Sequence, residues 1–317
     1  MHTTVLYHGN CPDGFGAALV CWQEWHDNAQ YLPVSYGQPL PHDQIPGTHD
    51  VYIVDFSYPA HELVALQQGR PLSQDRPRAD RQIVVLDHHA SAQRDLQPLV
   101  DAPRPGIHVL FDMEESGATL TWKYLKTGGW HPRKDPEVEG LEHSLPRFFT
   151  YLRDRDLWQW KLPHSRAISL ALWSLPRDFL AWQYFAESLQ DPARYQQIVG
   201  EGQAIMRYAD QLVAEQAKRA VYRTIGGYLV PVVNATTLFS GVGDYLCTHG
   251  TPLVSEPPLF CAYYFDRNDK QREWGLHGHG EVDLSQVAKS YGGGGHHDAA
   301  GFVTGQNFYG DMLVSEG

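Results

Sequence analysis

Four stretches in the first half of the chain gather side chains that hold cations: His8-Gly-Asn-Cys11-Pro-Asp13-Gly, Asp55, Asp87-His88-His89 and Arg153-Asp154-Arg155-Asp156-Leu157. Carboxylates and imidazoles suit divalent cations. Two such ions about 3.5–4 Å apart can clamp both the attacking and the leaving oxygen of a phosphoryl transfer. A carboxylate must bridge them, and Asp55, alone behind an apolar run, is the candidate. Each signal taken singly is ordinary. An Asp after a strand commonly caps a helix or turn, and a chain with 17 histidines keeps most of them for surface and packing. The joint placement carries the information.

A second kind of signal lies further on, in Gly292-Gly293-Gly294-Gly295-His296. Glycines let backbone approach an anion closely and expose N–H groups as a nest, so the run is a candidate phosphate cradle. A flexible linker is the plainer alternative, but linkers seldom sit between a helix and a strand with His296-His297-Asp298 attached. Arg166 is a candidate phosphate contact or an ordinary helix-surface arginine.

The elements that would position these groups read as α/β. Residues 3–7, 51–54 and 82–86 are short β-branched apolar runs of the kind buried in parallel sheets, and each ends at one of the polar clusters. Residues 14–26 and 59–68 have helical apolar spacing, which makes βαβ units. Ligands of open α/β sheets bind beyond the carboxyl ends of the strands, where the three clusters would converge. Helical spacing follows over 116–126, 145–157, 165–175 and 192–222, with Asp191-Pro192 as cap and first turn of the last. Strands are then expected at 227–233 and 259–265, a helix at 284–291 and a final strand at 301–303. The domain reading is a parallel-sheet domain over 1–190, a connecting helix over 191–222 and a smaller α/β domain over 223–317.

Composition narrows the function classes. With 25 Lys plus Arg against 37 Asp plus Glu, the net charge of −12 argues against gripping long nucleic acid, which rests on phosphate neutralisation. Residues 1–69 hold seven Asp or Glu and no Lys or Arg, so metal is one obvious counter-charge and a solvated acidic face the duller one. Cys11, Cys21, Cys247 and Cys261 form no CxxC pair and are read as reduced thiols. The absence of an early positive region, and the Gly and Pro that break the uncharged run 225–243, point to a cytoplasmic protein without a membrane segment.

In combination these motifs resemble the DHH phosphoesterases, specifically the branch with a C-terminal DHHA1 domain. Asp87-His88-His89 follows an apolar strand as the name-giving motif does, and Gly292-Gly-Gly-Gly-His-His-Asp-Ala-Ala-Gly-Phe302 looks like the DHHA1 signature about two hundred residues later. The resemblance implies that Asp13, Asp55, His88 and one of Asp154 or Asp156 surround one metal, with Asp154 the better fit. His8 and Asp55 would belong to the other, Asp55 bridging, and His89 would face the scissile phosphate. The family usually has Asp-x-Asp in the first motif, whereas this chain has Cys11-Pro12-Asp13. Cys11 is then either a soft ligand, favouring Co, Zn or Fe over Mg, or a packing thiol. An arginine the family often has before the glycine run is also missing here, with His277 the substitute for a substrate contact.

The resemblance implies a two-metal phosphohydrolase, with Mn or Co the expected ions and Mg compatible. A short oligonucleotide, dinucleotide or related small diester is the expected substrate, since Tyr263, Tyr264, Phe265 and Trp274 offer rings on which a base could stack. Inorganic polyphosphate is the alternative. A non-catalytic nucleotide-binding protein is the rival from another class. No long duplex or membrane partner is expected, and a homodimer is compatible with the sequence.

Overall fold

The computed structural model describes residues 3–9, 11–68, 81–129, 144–252, 254, 256–267 and 269–311. The chain divides into two compact units, Met1–Ile205 and Met206–Gly317.

The first unit is built on five parallel strands: β1 (Thr3–His8), β2 (Ala29–Val34), β3 (Asp50–Val54), β4 (Ile83–Asp87) and β5 (Ile107–Phe111), in the order β2-β1-β3-β4-β5. Successive side chains of a strand point to opposite faces. Val5, Val54, Val84 and Leu86 accordingly pack on one side with Phe15, Leu19, Trp122 and Phe148. Leu6, Ile53, Ile83 and Val85 pack on the other with Leu63, Leu66, Leu96 and Leu99. Both faces are therefore covered, by α1 (Pro12–Trp25), α4 (Gly117–Lys126) and α5 (Arg147–Asp156) on the first, and by α2 (Ala60–Gln68) and α3 (Ala90–Asp101) on the second. That double burial is why β1, β3 and β4 read as unbroken apolar runs. Two more helices follow, α6 (Ser165–Trp173) and α7 (Phe179–Ser188), and a third, α8 (Pro192–Ala217), runs from this unit into the second.

The second unit holds a six-stranded sheet in the order β10-β11-β9-β8-β7-β6. Its strands are β6 (Val221–Ile225), β7 (Tyr228–Asn234), β8 (Phe260–Asp266), β9 (Gln271–Gly278), β10 (Gly294–Gly295) and β11 (Ala299–Gly305). All neighbours are antiparallel except β7 and β8. Helices α9 (Phe239–His249) and α10 (Leu284–Ser290) complete an α/β unit whose core includes Ile225, Val232, Phe260, Trp274, Leu276 and Phe302. The helix expected over 192–222 ends at Ala217, and Tyr222 lies in β6, paired with Pro231. No described helix is long and apolar enough to cross a membrane.

Candidate metal centre

The order β2-β1-β3-β4-β5 means that the chain leaves β1 to one side for β2 and returns on the other for β3. The crevice of an open parallel sheet lies at this reversal, beyond the carboxyl ends. His8 ends β1, Asp55 follows β3, and Asp87-His88-His89 ends β4. Helix N-termini then close on them. Cys11 is the N-cap of α1 and Asp13 lies in its first turn, while His89 occupies the N-cap position of α3. Exposed N–H groups and the helix dipole favour anionic groups there.

Asp55 is the hub. Its Oδ1 lies 3.0 Å from His88 Nε2, and its Oδ2 lies 3.0 Å from Cys11 Sγ and 3.5 Å from His8 Nδ1. Its backbone is left-handed at φ 54, unusual outside glycine, and its N–H donates to the Leu86 carbonyl at 2.9 Å. Around His88 Nε2 two further carboxylates gather, Asp156 at 3.4 Å and Asp13 at 3.9 Å. His89 is aimed by Asp87: its Nδ1 lies 2.6 Å from Asp87 Oδ1, which also accepts the His88 and His89 N–H groups, while Ser57 donates to Asp87 Oδ2.

The electrostatics ask for a cation. Burial, then the charges of Asp156 and Asp55, push the Asp13 carboxyl well above the ordinary range. Burial also raises Asp156, against the pull of His88. Burial alone would lower His88, but its hydrogen bond to Asp55 and the charges of Asp156, Asp55 and Asp13 push it up to about 10. Burial would raise Asp55, but the close approach of His8 and the hydrogen bond with His88 outweigh it and hold the group well below its usual value. Burial and the three carboxylates push the Cys11 thiol well above its own. Carboxylates crowd together at low dielectric only if positive charge joins them. Asp156 Oδ2 and His8 Nδ1, both buried, have no hydrogen-bond partner among the described residues, although each lies near a site residue. A divalent cation fits such a donor set. His8, Cys11 and Asp55 form one group with the spacing of metal ligands, and Asp13, Asp55 and His88 form a second, sharing Asp55.

The preference for Asp154 does not hold in the geometry. Its carboxylate accepts the N–H groups of Lys161 at 2.8 Å and Leu162 at 3.3 Å, capping the loop after α5, and it is Asp156 that reaches His88. Two supports were not read from the sequence. Gly117 starts α4 against Asp55, where an added Cβ would lie 2.7 Å from Asp55 Oδ1 and 2.8 Å from its Cα. Its neighbour Ala118 donates its N–H to Asp13 at 3.3 Å. Buried Glu115 pairs with Lys123 at 2.8 Å and with Arg153 at 3.0 Å, tying α4 to the helix that carries Asp156. The only sequence signal was a small residue after Glu115-Ser116 at a helix start.

No family model matches the chain. The uncharacterized protein R106 of Acanthamoeba polyphaga mimivirus is 27% identical over 324 residues, which take in 94% of this chain and 66% of that protein. The chain thus spans slightly under two thirds of that relative. Among solved structures, the DHH domain of a member of the s1p family of ribosomal proteins superposes with a TM-score of 0.55 at 14% identity, over 96% of this chain and 83% of that one. The chain has the DHH fold. RecJ of Thermus thermophilus, solved in complex with Mn2+, aligns with a TM-score of 0.42 at 14% identity, over 95% of this chain and 49% of that one. The DHH tripeptide of this chain is the buried segment that ends β4 and leads into α3.

Of the expected substrate contacts, Arg166 is exposed on α6 and belongs to the DHH-fold unit. The others lie in the second unit, and the glycine run there differs from the expected nest. Gly292 and Gly293 donate their N–H groups to Lys289 and Ala288, Gly294 and Gly295 pair with β11, and His296 donates to the Ala299 carbonyl at 2.7 Å. At Gly293 a Cβ would overlap the Gly301 carbonyl, so close packing of the sheet edge accounts for a glycine there. His277 is buried on β9, and burial lowers its pKa to about 4. Trp274, offered as a stacking ring, is core, and Tyr263 stacks on Phe239. An exposed ring near the candidate ligands is instead Tyr36, after β2, whose centroid lies 5.4 Å from that of His8 and 5.8 Å from that of His89.

Proposed function

We propose that the protein is a metal-dependent phosphohydrolase acting on small nucleotide diesters. The observation that carries the reading is the convergence of Asp13, Asp55 and Asp156 on His88 Nε2, buried at the switch point of the sheet. His8, Cys11 and Asp55 are the ligands assigned to one divalent cation, and Asp13, Asp55, His88 and Asp156 to the other, with Asp55 shared. Bound there, two cations would act as Lewis acids toward the phosphoryl group and lower the pKa of a water. The chain's own residues do the rest. Asp87 fixes the His89 ring by its Nδ1, so that the other edge can donate to a phosphate oxygen as charge develops. Cys11 would bring sulfur to the first ion and favour Co over Mg.

The size and class of the substrate rest on two features. A net charge of −12 disfavours a long polyanion, and the exposed Tyr36 ring beside His8 and His89 offers a stacking surface for a base. A panel of dinucleotides, short and long oligonucleotides, cyclic nucleotides and polyphosphate, each run with Mg, Mn, Co and Zn, tests the reading. The expected result is hydrolysis of dinucleotides and very short oligonucleotides, falling steeply with length and strongest with Mn or Co. Equal rates on a dinucleotide and a long strand, or polyphosphate as the best substrate, would overturn the substrate; no turnover with any metal would overturn the enzyme.

A further inference from the structure

The second unit carries another group of side chains with ligand chemistry, formed by Asp244 on α9 and His277 and His279 at the end of β9. One ligand atom from each lies within 4.8 Å of the other two. We propose that these three residues form a binding site for a borderline divalent cation of the zinc class, separate from the metal centre of the first unit.

The sequence builds the site by simple rules. Residues i and i+2 of an extended chain share a face, so His277-Gly278-His279 presents both imidazoles to the helix packed on that side. His279 follows directly on β9, whose last residue Gly278 donates its N–H to the Asp298 carbonyl at 2.9 Å, and its ring centroid lies 5.8 Å from that of His277. The helix comes close because residue 243 is glycine: a Cβ there would sit 2.6 Å from His277 Cβ. Two thiols hold the contact, Cys247 Sγ donating to the His277 carbonyl at 3.2 Å and Cys261 Sγ to the Gly243 carbonyl at 3.4 Å. Asp244, the next residue of α9, is thereby placed with its Oδ1 3.3 Å from His279 Nε2.

That separation suits a metal. Ligands about 2.0–2.2 Å from a tetrahedral zinc ion lie about 3.4 Å from one another. The Asp244–His279 edge already has this length, and His277 offers a ring nitrogen within 4.8 Å of both. Two imidazoles and one carboxylate match zinc, and three protein ligands leave a fourth position open. Asp244 and His279 are each nearly half exposed, so that position is reached from solvent and takes water or an anionic oxygen such as a phosphate.

The test is Zn2+ titration by calorimetry, with metal content after dialysis, on the full chain and on Asp244→Ala, His279→Ala and Asp55→Asn. The first two variants should each lose one equivalent of zinc, and Asp55→Asn should keep it, which separates this site from the first unit's centre whatever that centre does. Zinc should also raise the melting temperature of Asp55→Asn, and this rise should vanish when Asp244→Ala is added. With two partly exposed residues changed, matching melting curves without zinc establish that the variants fold. Wild-type zinc stoichiometry and affinity in both Asp244→Ala and His279→Ala would overturn the proposal and leave Asp244 and His279 an ion pair only.

Discussion

Replacing Gly117 by alanine should damage the candidate metal centre without substituting any candidate ligand. The added Cβ would stand 2.7 Å from Asp55 Oδ1 and 2.8 Å from Asp55 Cα, where carbon contacts normally begin at about 3.5 Å. Asp55 Cβ lies closer still, so something must move by about 1 Å. Asp55 gives way poorly, since its backbone is at φ 54 and its N–H is bound to Leu86. The start of α4 is equally fixed, by the Ser116–Thr119 capping box and the Ala118–Asp13 hydrogen bond. A displacement approaching 1 Å at reacting groups costs roughly 10²-fold in rate, which is about 2.7 kcal/mol of barrier. Stability should fall less, because overpacking of about 1–3 kcal/mol is partly offset by the gain of about 0.5–1 kcal/mol for alanine over glycine in a helix. Gly200→Ala is the control, on an exposed face of α8 with no heavy atom within 4 Å of the new Cβ, and should be slightly stabilised at unchanged rate. Initial rates on bis-p-nitrophenyl phosphate with Mn2+, alongside thermal melts, measure both effects. A Gly117→Ala rate within about threefold of wild type would refute the claim that this contact positions Asp55.

Other substitutions separate the roles assigned to neighbouring residues. Asp156→Asn should lower turnover on the order of 10²-fold or more at nearly wild-type stability, whereas Asp154→Asn should cost about 1–2 kcal/mol of stability through its weakened caps on Lys161 and Leu162; the reverse pattern in paired kinetics and melts would exchange the two roles. Cys11→Asp should move metal preference toward Mg, and an unchanged ranking of Mg, Mn and Co would assign Cys11 to packing. Tyr36→Ala should raise KM for a dinucleotide by roughly tenfold, from about 1–3 kcal/mol of stacking, while sparing polyphosphate; an equal effect on both would remove the ring from base recognition.

The parts of the fold that were legible are those where burial writes a pattern. The central strands β1, β3 and β4 are covered on both faces and read as apolar runs. The edge strands were missed: β2 is half-buried and contains Pro33, and β5 alternates weakly around exposed His108. The end of α8 was misplaced because β6 is another half-exposed edge strand following directly on helical spacing. Within the site, residue types at or just beyond strand ends singled out Asp55, His88 and Asp13 as candidates. The choice between Asp154 and Asp156 was not available, because two residues on a helix point about 200° apart and only the packing of α5 on α4 decides which faces β4. The same holds for Trp274, whose side of the sheet is set by pairing register, and for the glycine run, whose N–H groups meet carbonyls distant in sequence.

The central claim is that Asp55 holds two metal ions between β1, β3 and β4. Anomalous diffraction from crystals of the full chain soaked in Mn2+ tests it most directly. Two peaks about 3.5–4 Å apart, one beside His8 and Cys11, the other beside Asp13, His88 and Asp156, with Asp55 between them, are the predicted result. A single peak, or none, in crystals of protein that still hydrolyses a diester with Mn2+ would contradict it.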